Sequence, residues 1–213
     1  MGVNASQLER DLQSHGINLE KWGEVRETLL HLLVAELNEG DSTLEIGADG
    51  LVRVVHLIVM LIRPAIKPSV QKRPVPLSYL VERQRVYLDR RVVSGIRLPS
   101  GKIRKGEVPE SALRRELAEE FGLSSGDYNF HFICVDDPIV ASSAKYPGLP
   151  TCYYLHHYKV WIQTKAAARI GSHRTIQGHG VAITFGWDSS TKYRARLERE
   201  QKEKEAEAST PSA

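Results

Sequence analysis

The chain has 213 residues, of which 41% are hydrophobic and 26% are charged, and its formal net charge is +3. A chain of this length can bury roughly 70% of its unfolded surface, so it needs no disulfide bond or structural metal to fold. Two cysteines exclude a disulfide framework, and the composition excludes collagen-like and wholly disordered chains. The near balance of charges does not indicate a nucleic-acid-binding surface, so a nucleic acid is not the expected partner.

Compartment and membrane contact are predicted from the apolar runs. The most apolar run, Val54–Ile62, is far shorter than the ~20 residues that cross a bilayer. Residues 1–15 lack the apolar core of a signal peptide, so we expect a cytoplasmic protein without a transmembrane segment. Gly2 and Ser6 fit the N-myristoylation pattern, and acylation of Gly2 would add a weak membrane association.

The first long element predicted is a helix over Leu19–Asn38, with Asn18 as its N-cap and Gly40 just past its end. Apolar residues recur along it at helical spacing, so one face packs on the core or on a second subunit. A homodimer is therefore one of the expectations.

The period of the apolar residues then changes to that of strands. The order of helix, strands, one central helix and further strands predicts a mixed α/β fold. The expected organisation is an N-terminal helical extension over residues 1–42, one domain over 43–190, and a charged tail over 191–213. Gly171–Gly180 reads as a loop. The predicted strands are Thr43–Ile46, Leu51–Ile62, Asn129–Val135, Cys152–Gln163 and Val181–Trp187, with a β-rich stretch over Ser78–Val93.

The stretch most informative about chemistry runs from Gly101 to Leu123. Residues 101–107 form a loop with two glycines and three cations. Pro109 suits the first position of a helix, because its missing N–H is not needed there. That helix is predicted to continue to Phe121, with Gly122 in the left-handed position that ends it.

Three carboxylates fall on one stripe of this helix. Glu116, Glu119 and Glu120 stand at i, i+3 and i+4, a spacing at which like charges repel and cost stability unless a cation neutralises them. Carboxylate oxygens suit Mg²⁺ or Mn²⁺. Glu107 could join them from the loop, and Arg115 could orient one carboxylate by a bidentate contact.

The cations of the loop suggest what such a metal would act on. Lys102, Arg104 and Lys105 precede the N-terminus of the helix, which itself favours anions. A carboxylate-bound metal beside a cationic, glycine-containing loop suits a polyphosphate. The metal would polarise phosphoryl oxygens and lower the pKa of a bound water, as hydrolysis of a phosphoanhydride requires.

The same stretch resembles the Nudix box at every defined position: Gly101, Glu107, Arg115, Glu116, Leu117, Glu119, Glu120, Gly122 and Leu123. The resemblance implies a Nudix hydrolase, an α/β/α sandwich with a mixed sheet that cleaves nucleoside diphosphates linked to another group. Carried onto this sequence, it makes Glu116, Glu119 and Glu120 the Mg²⁺ or Mn²⁺ ligands. One of them, or Glu107, would activate the attacking water, and Arg115 would be the orienting residue. Gly101, Lys102, Arg104 and Lys105 would bind the substrate phosphates.

The identity of the substrate is less constrained. ADP-ribose hydrolases of the family resemble one another in a proline about 16 residues past the box, and Pro138 stands near that place, as does the Pro147-Gly148 turn further on. ADP-ribose or a nucleotide sugar is therefore the favoured substrate. Aromatic residues available for base stacking include Tyr146 and Tyr154. The alternative is a catalytically silent Nudix fold that binds a nucleotide, an RNA or a protein.

Overall fold

A computed structural model describes residues 2–65, 78–87, 90, 92–143, 145–171, 173–178 and 181–188 of the chain. These residues form a mixed α/β fold, as the sequence predicts. The charged tail predicted over 191–213 lies outside them. No described helix combines the length and the apolar character needed to cross a membrane.

The helices and strands are as follows. The helices are α1 (Ala5–Ser14), α2 (Arg26–Glu39), α3 (Pro109–Phe121) and α4 (Thr164–Ile170), and a 3₁₀ segment covers Leu19–Val25. The strands are β1 (Thr43–Gly47), β2 (Gly50–Pro64), β3 (Tyr79–Tyr87), β4 (Val92–Arg97), β5 (Ser100–Lys102), β6 (Tyr128–Val135), β7 (Ile139–Ser142), β8 (Pro150–Ile162), β9 (His173–Gly178) and β10 (Val181–Asp188).

The strands form two sheets. The first has the order β1-β2-β8-β6, with β5 paired to β2 and β7 paired to β8. Strands β1 and β2 are antiparallel, with Gly47 opposite Gly50 at the tight turn that joins them. The second sheet has the order β4-β3-β10-β9, and its three pairings are all antiparallel.

The described residues fall into two compact units. The first comprises residues 1–58, 102–112 and 135–155. Its core contains Leu8, Leu12 and Leu33 from the helices, together with Tyr146 and Leu149. The N-terminal helices therefore belong to the same compact unit as the loop of the box.

Trp22 anchors that core to the turn at Pro147. Its ring centroid lies 5.6 Å from that of Tyr146, and its indole Nε1 donates a hydrogen bond to the Pro147 carbonyl oxygen at 2.8 Å. Tyr146 is fully buried. It is therefore not an exposed ring for base stacking, contrary to the sequence-based expectation.

The second unit comprises the described residues within 59–101, 113–134 and 156–188. In it the ring of Phe121, at the end of α3, makes an edge-to-face contact with Phe185 of β10, with 5.1 Å between the centroids. Leu113 and Leu117 of α3 are fully buried. The apolar side of α3 is thereby fixed, and this fixes the direction of its carboxylates.

The predicted helix over Leu19–Asn38 is interrupted. Asn18 does cap its start, since its Oδ1 accepts from the Glu20 N–H at 2.8 Å. Gly23, however, has a positive φ of 57°, which breaks the helical path, so only Arg26–Glu39 is α-helical. Gly40 ends α2 in the left-handed conformation, as predicted.

Several elements escaped prediction. Gly171–Gly180, expected to be a loop, contains β9, which pairs with β10 from His173 to Gly178. The sequence of β9 does not alternate between apolar and polar residues, so this strand is defined by its hydrogen bonding to β10 and not by its own pattern. The helix α4 and the strand β7 are short, and their apolar residues are too few to show a period, whereas α1 was missed although Leu8 and Leu12 stand at helical spacing.

Gly40 makes a close approach that a side chain would block. Its φ is +78°, its carbonyl accepts from the Lys105 N–H at 2.7 Å, and a Cβ there would lie 3.0 Å from that nitrogen. We expect Gly40→Ala to lower the free energy of unfolding by about 1–3 kcal/mol, measured by urea denaturation. Gly126→Ala is the control, since its Cβ would meet nothing within 4 Å. Equal stability of the two variants would contradict the prediction.

Candidate active site

Helix α3 presents its carboxylates beside its buried leucines. The helix begins at Pro109 and ends at Phe121, and Gly122 follows with a φ of +64°. The loop-to-helix transition, the Pro start and the Gly stop predicted from the sequence are confirmed. Because Leu113 and Leu117 are fully buried, the carboxylates at 116, 119 and 120 occupy a defined part of the remaining surface.

Arg115 contacts two of these carboxylates. Its Nη1 donates to Glu116 Oε1 at 2.6 Å and reaches Glu119 Oε2 at 3.4 Å. The Glu116 side chain is 12% exposed, whereas that of Glu119 is 57% exposed. One guanidinium thus limits the positions of an almost buried carboxylate and of an exposed one, and these contacts suit the orienting role predicted for Arg115.

Glu120 is the carboxylate most perturbed by its surroundings. Burial and the nearby charge of Glu116 raise its pKa to about 8, Glu82 and Glu119 add to this, and Arg85 acts against it. Its Oε2 is buried and has no hydrogen-bond partner among the residues that the structure describes. A buried acceptor without a donor is costly unless a ligand supplies the missing interaction.

Glu82 belongs to this group and was missed by the sequence analysis. It lies on β3 and is buried, and its two carboxylate oxygens accept from Arg85 Nε at 3.1 Å and Nη2 at 2.7 Å. The available signal was an acidic residue directly after three apolar ones, at Tyr79–Val81, in a predicted β-rich stretch. This pattern indicates a carboxylate in a buried strand, but it does not indicate which other residues lie near that carboxylate.

The donor chemistry of α3 fits a hard divalent cation, although the side chains are not arranged around one. In the described part of the chain, no three His, Cys, Asp or Glu side chains are grouped closely enough to hold a metal ion. Glu116 faces Arg115, and Glu119 points to solvent. The unpartnered Oε2 of Glu120 and the oxygen-only set are what Mg²⁺ or Mn²⁺ requires.

Gly101 lies directly against Glu116. A Cβ at position 101 would lie 2.7 Å from Glu116 Oε2 and closer still to its Cγ and Cδ. At the glycine of the box the backbone thus approaches a carboxylate side chain so closely that any Cβ there would displace the side chain of Glu116. This close approach gives a physical reason for a glycine at position 101, where the Nudix box also has one.

This approach leads to a testable separation of activity from stability. The atoms that would clash belong to the outer end of a flexible side chain, so Gly101→Ala can be accommodated by displacing Glu116. We expect hydrolysis to fall by about 100-fold, as for a displaced metal ligand or its support. We expect the melting temperature, measured by calorimetry, to change by only a few degrees. Retention of full activity would show that the position of Glu116 is unimportant.

The loop of the box is closed by its own backbone and one side chain. Glu107 Oε2 accepts from the Arg104 N–H at 3.0 Å, and the Glu107 N–H donates to the Arg104 carbonyl at 2.8 Å. Glu107 is thus used to shape the loop. Its role as a base stays a prediction.

Two of the three loop cations contact acidic residues of the N-terminal extension. Lys102 Nζ lies 3.0 Å from Asp41 Oδ2, and Arg104 Nε lies 3.8 Å from Asp41 Oδ1. Asp41 has no motif around it in the sequence that would indicate these contacts. Binding of substrate phosphates by Lys102, Arg104 and Lys105 stays a prediction, to which these contacts add a competing carboxylate.

Tyr154 is another of the aromatic residues considered for base stacking. Its ring stacks on that of His56, with 4.7 Å between centroids and 9° between planes. His56 also accepts through its carbonyl from the Ile103 N–H of the box loop at 2.9 Å. The stacked pair therefore lies on strands that support the loop.

Comparison with known families decides the assignment. A family model described as the NUDIX domain matches residues 73–158 of the chain, a range that contains the entire box. Over those residues the chain is similar to the NUDIX domain. Together with the complete set of box carboxylates in the sequence, the match supports a hydrolase that acts on phosphoanhydride bonds. No curated protein matches the chain.

Solved structures give distant likenesses. An Ap4A hydrolase from C. elegans is 14% identical, with 74% of this chain and 99% of that chain covered and a TM-score of 0.38. A NUDIX hydrolase from Nitrosomonas europaea is 18% identical, with 68% and 78% covered and a TM-score of 0.35. The assignment rests on the family match and the box residues.

Proposed function

We propose that this NUDIX protein is a Mg²⁺-dependent pyrophosphohydrolase that cleaves a phosphoanhydride in a nucleoside diphosphate derivative. The observation that carries the proposal is the acidic stripe of α3, in which Glu120 keeps a buried oxygen without a hydrogen-bond partner among the described residues. The stripe joins an exposed carboxylate, Glu119, to two less accessible ones, Glu116 and Glu120. This difference in exposure suits a metal ion that is held by the two less accessible carboxylates and exchanges water and substrate on the side of Glu119.

The proposed roles of the residues follow from their surroundings. Glu116, Glu119 and Glu120 would hold the cation, which when bound supplies charge neutralisation of the phosphoryl oxygens and a water of lowered pKa. Arg115 keeps Glu116 and Glu119 oriented. Glu119, the most exposed of the three, is the best placed to accept the proton of the attacking water. Water adds to one phosphorus atom, the bridging P–O bond breaks, and two phosphomonoesters leave.

ADP-ribose and nucleotide sugars are the proposed substrates. The support is the position of Pro138 and of the Pro147-Gly148 turn after the box. Trp22 fixes that turn through the Pro147 carbonyl, and Gly148 has a φ of +84°.

The test is a substrate panel with and without metal. ADP-ribose, nucleotide sugars, oxidised nucleoside triphosphates, dinucleoside polyphosphates, capped RNA and diphosphoinositols are incubated with Mg²⁺, with Mn²⁺ and with EDTA, and products are separated by chromatography. We expect two phosphomonoester products from one class and none in EDTA. Absence of turnover on every compound, from folded protein, would favour the silent binding module instead.

We also propose a cytoplasmic location and, as a separate matter, a dimer through α2. Val25 and Leu32 are large exposed apolar side chains next to or on this helix. Light scattering at micromolar concentration tests the dimer, and a monomeric mass would remove it. Acylation of Gly2 is tested by mass spectrometry of native protein.

A further inference from the structure

A bulge interrupts the pairing of β3 with β10 in the second unit. The two strands are antiparallel, with Glu82 opposite Phe185 and Gln84 opposite Thr184. Arg83 therefore has no residue of β10 opposite it and is the extra residue of the bulge. A bulge re-aims side chains, and this one changes which residues of β3 share a face of the sheet.

The bulge brings Glu82 and Arg85 to the same face. In a regular strand, two residues three positions apart point to opposite faces. Here Arg85 stands opposite Ile183 of β10. Glu82 stands opposite Phe185, two positions further along β10, so both pairs point to one face. For this reason Arg85 can bind both carboxylate oxygens of Glu82, at 3.1 and 2.7 Å.

That face is the one on which the end of α3 packs. The ring of Phe121 contacts Phe185, the residue opposite Glu82, with 5.1 Å between the centroids. Glu120 directly precedes Phe121. Burial is the main cause of the raised pKa of Glu120; the charge of Glu82 adds to the rise, and that of Arg85 opposes it. Strand β3 thus places one carboxylate and one guanidinium near Glu120.

Two carboxylates near one guanidinium are treated unequally. Arg85 donates from Nε and Nη2 to the two oxygens of Glu82, which is 5% exposed. In Glu120, by contrast, Oε2 is buried and has no hydrogen-bond partner in the part of the chain that the structure describes. A bidentate, charge-assisted pair is strong and holds the guanidinium in one orientation. The pair with Glu82 therefore leaves this oxygen of Glu120 available to a ligand.

We propose that Glu82 is a positioning residue for the divalent cation: by binding Arg85, it keeps the guanidinium from the buried oxygen of Glu120 and leaves that oxygen for the metal. The inference rests on the proposed function, since it concerns the same carboxylates. It assigns a role to a residue of β3 outside the box and holds for every substrate of the class proposed above. Without the charge of Glu82, Arg85 would turn to Glu120 and compete there with the cation.

Binding of Mn²⁺ without substrate tests the inference, and electron paramagnetic resonance of the free ion measures it. We expect Glu82→Gln to weaken Mn²⁺ binding about tenfold, within the range for a lost partner of a metal ligand. The double variant Glu82→Gln with Arg85→Gln should regain the wild-type affinity, because the competing guanidinium is gone. Glu110→Gln, which removes an exposed carboxylate from α3, should bind like the wild type. Unchanged affinity in Glu82→Gln, or an equal loss in the double variant, would overturn the inference.

A second variant separates this effect from net charge and from misfolding. Glu82→Asp keeps the charge but draws the carboxylate back by one methylene, which weakens the bidentate pair. We expect it to lower the Mn²⁺ affinity as well, and we expect Arg85→Gln to reverse the loss. The same comparison serves if Glu82→Gln fails to fold, as a melting curve would show. Wild-type affinity in folded Glu82→Asp would indicate an effect of charge alone and contradict the inference.

Hydrolysis of the substrate panel is measured beside Mn²⁺ binding, so that the two proposals can fail separately. An Mn²⁺ affinity that depends on Glu82 through Arg85, in a protein that hydrolyses nothing, would keep the inference and refute the proposed function. Hydrolysis by a protein whose Mn²⁺ affinity is indifferent to Glu82 would keep the proposed function and refute the inference. Absence of Mn²⁺ binding by the wild type would also overturn the inference.

Discussion

Replacing Glu119 by glutamine is expected to lower kcat about a thousandfold, within the range for a lost general base or metal ligand. Glutamine has the same shape but can neither take a proton nor neutralise a cation. Because the Glu119 side chain is 57% exposed and receives only a 3.4 Å contact from Arg115, we expect the substitution to change the stability of the folded protein little. The measurement is product release in saturating Mg²⁺, beside a melting curve.

The matched control is Glu110→Gln. Glu110 lies in the first turn of the same helix and is exposed, so its replacement removes one carboxylate from α3 without touching the stripe. We expect wild-type turnover from it. If both variants lost turnover to the same extent, the loss would reflect the net charge of α3, and the specific role proposed for Glu119 would be contradicted.

The second large effect is expected on stability, at Glu36. Burial alone would raise its pKa, but Lys102, Lys145 and Arg53 together lower it to about 2. We expect Glu36→Gln to lower the free energy of unfolding at pH 7 by about 3 kcal/mol, because three cations would lose their buried partner. Urea denaturation measures this difference.

The lowered pKa also sets the direction of a pH dependence. Ionised Glu36 stabilises the folded protein above its ordinary value near 4.5, and this contribution is lost as the pH falls from there towards about 2. The difference in stability between wild type and Glu36→Gln should therefore shrink in acid. Glu39→Gln, an exposed position on the same helix, is the control and should show neither effect. A difference between wild type and Glu36→Gln that is constant from pH 7 to pH 3 would contradict the assignment.

The box and its helix were predictable because their signals are local. Pro109, Phe121 and Gly122 mark a start and an end through backbone constraints that need no partner, and the spacing of Glu116, Glu119 and Glu120 fixes a common stripe. The same reasoning placed five of the ten described strands, β1, β2, β6, β8 and β10, within two residues of their ends. The apolar period is strong wherever one face of a strand is buried.

What the sequence could not show depends on contacts between distant residues. The charge of Glu82 on β3 acts on Glu120 of α3, and Asp41 contacts Lys102 across 61 positions of the chain. Neither residue has a sequence neighbour that indicates its partner. The strand β9 is likewise defined by its pairing with β10 rather than by its own pattern.

Tyr146 and Leu149 pack against the N-terminal helices, and this contact affects the solubility expected of shortened chains. Both residues fall inside the range matched by the NUDIX family, yet they are fully buried in a core whose other members include Leu8, Leu12 and Trp22. A chain trimmed to residues 73–158 would expose this apolar surface to water and tend to aggregate. Failure of such a fragment to stay in solution would therefore say nothing about whether the full chain is a hydrolase.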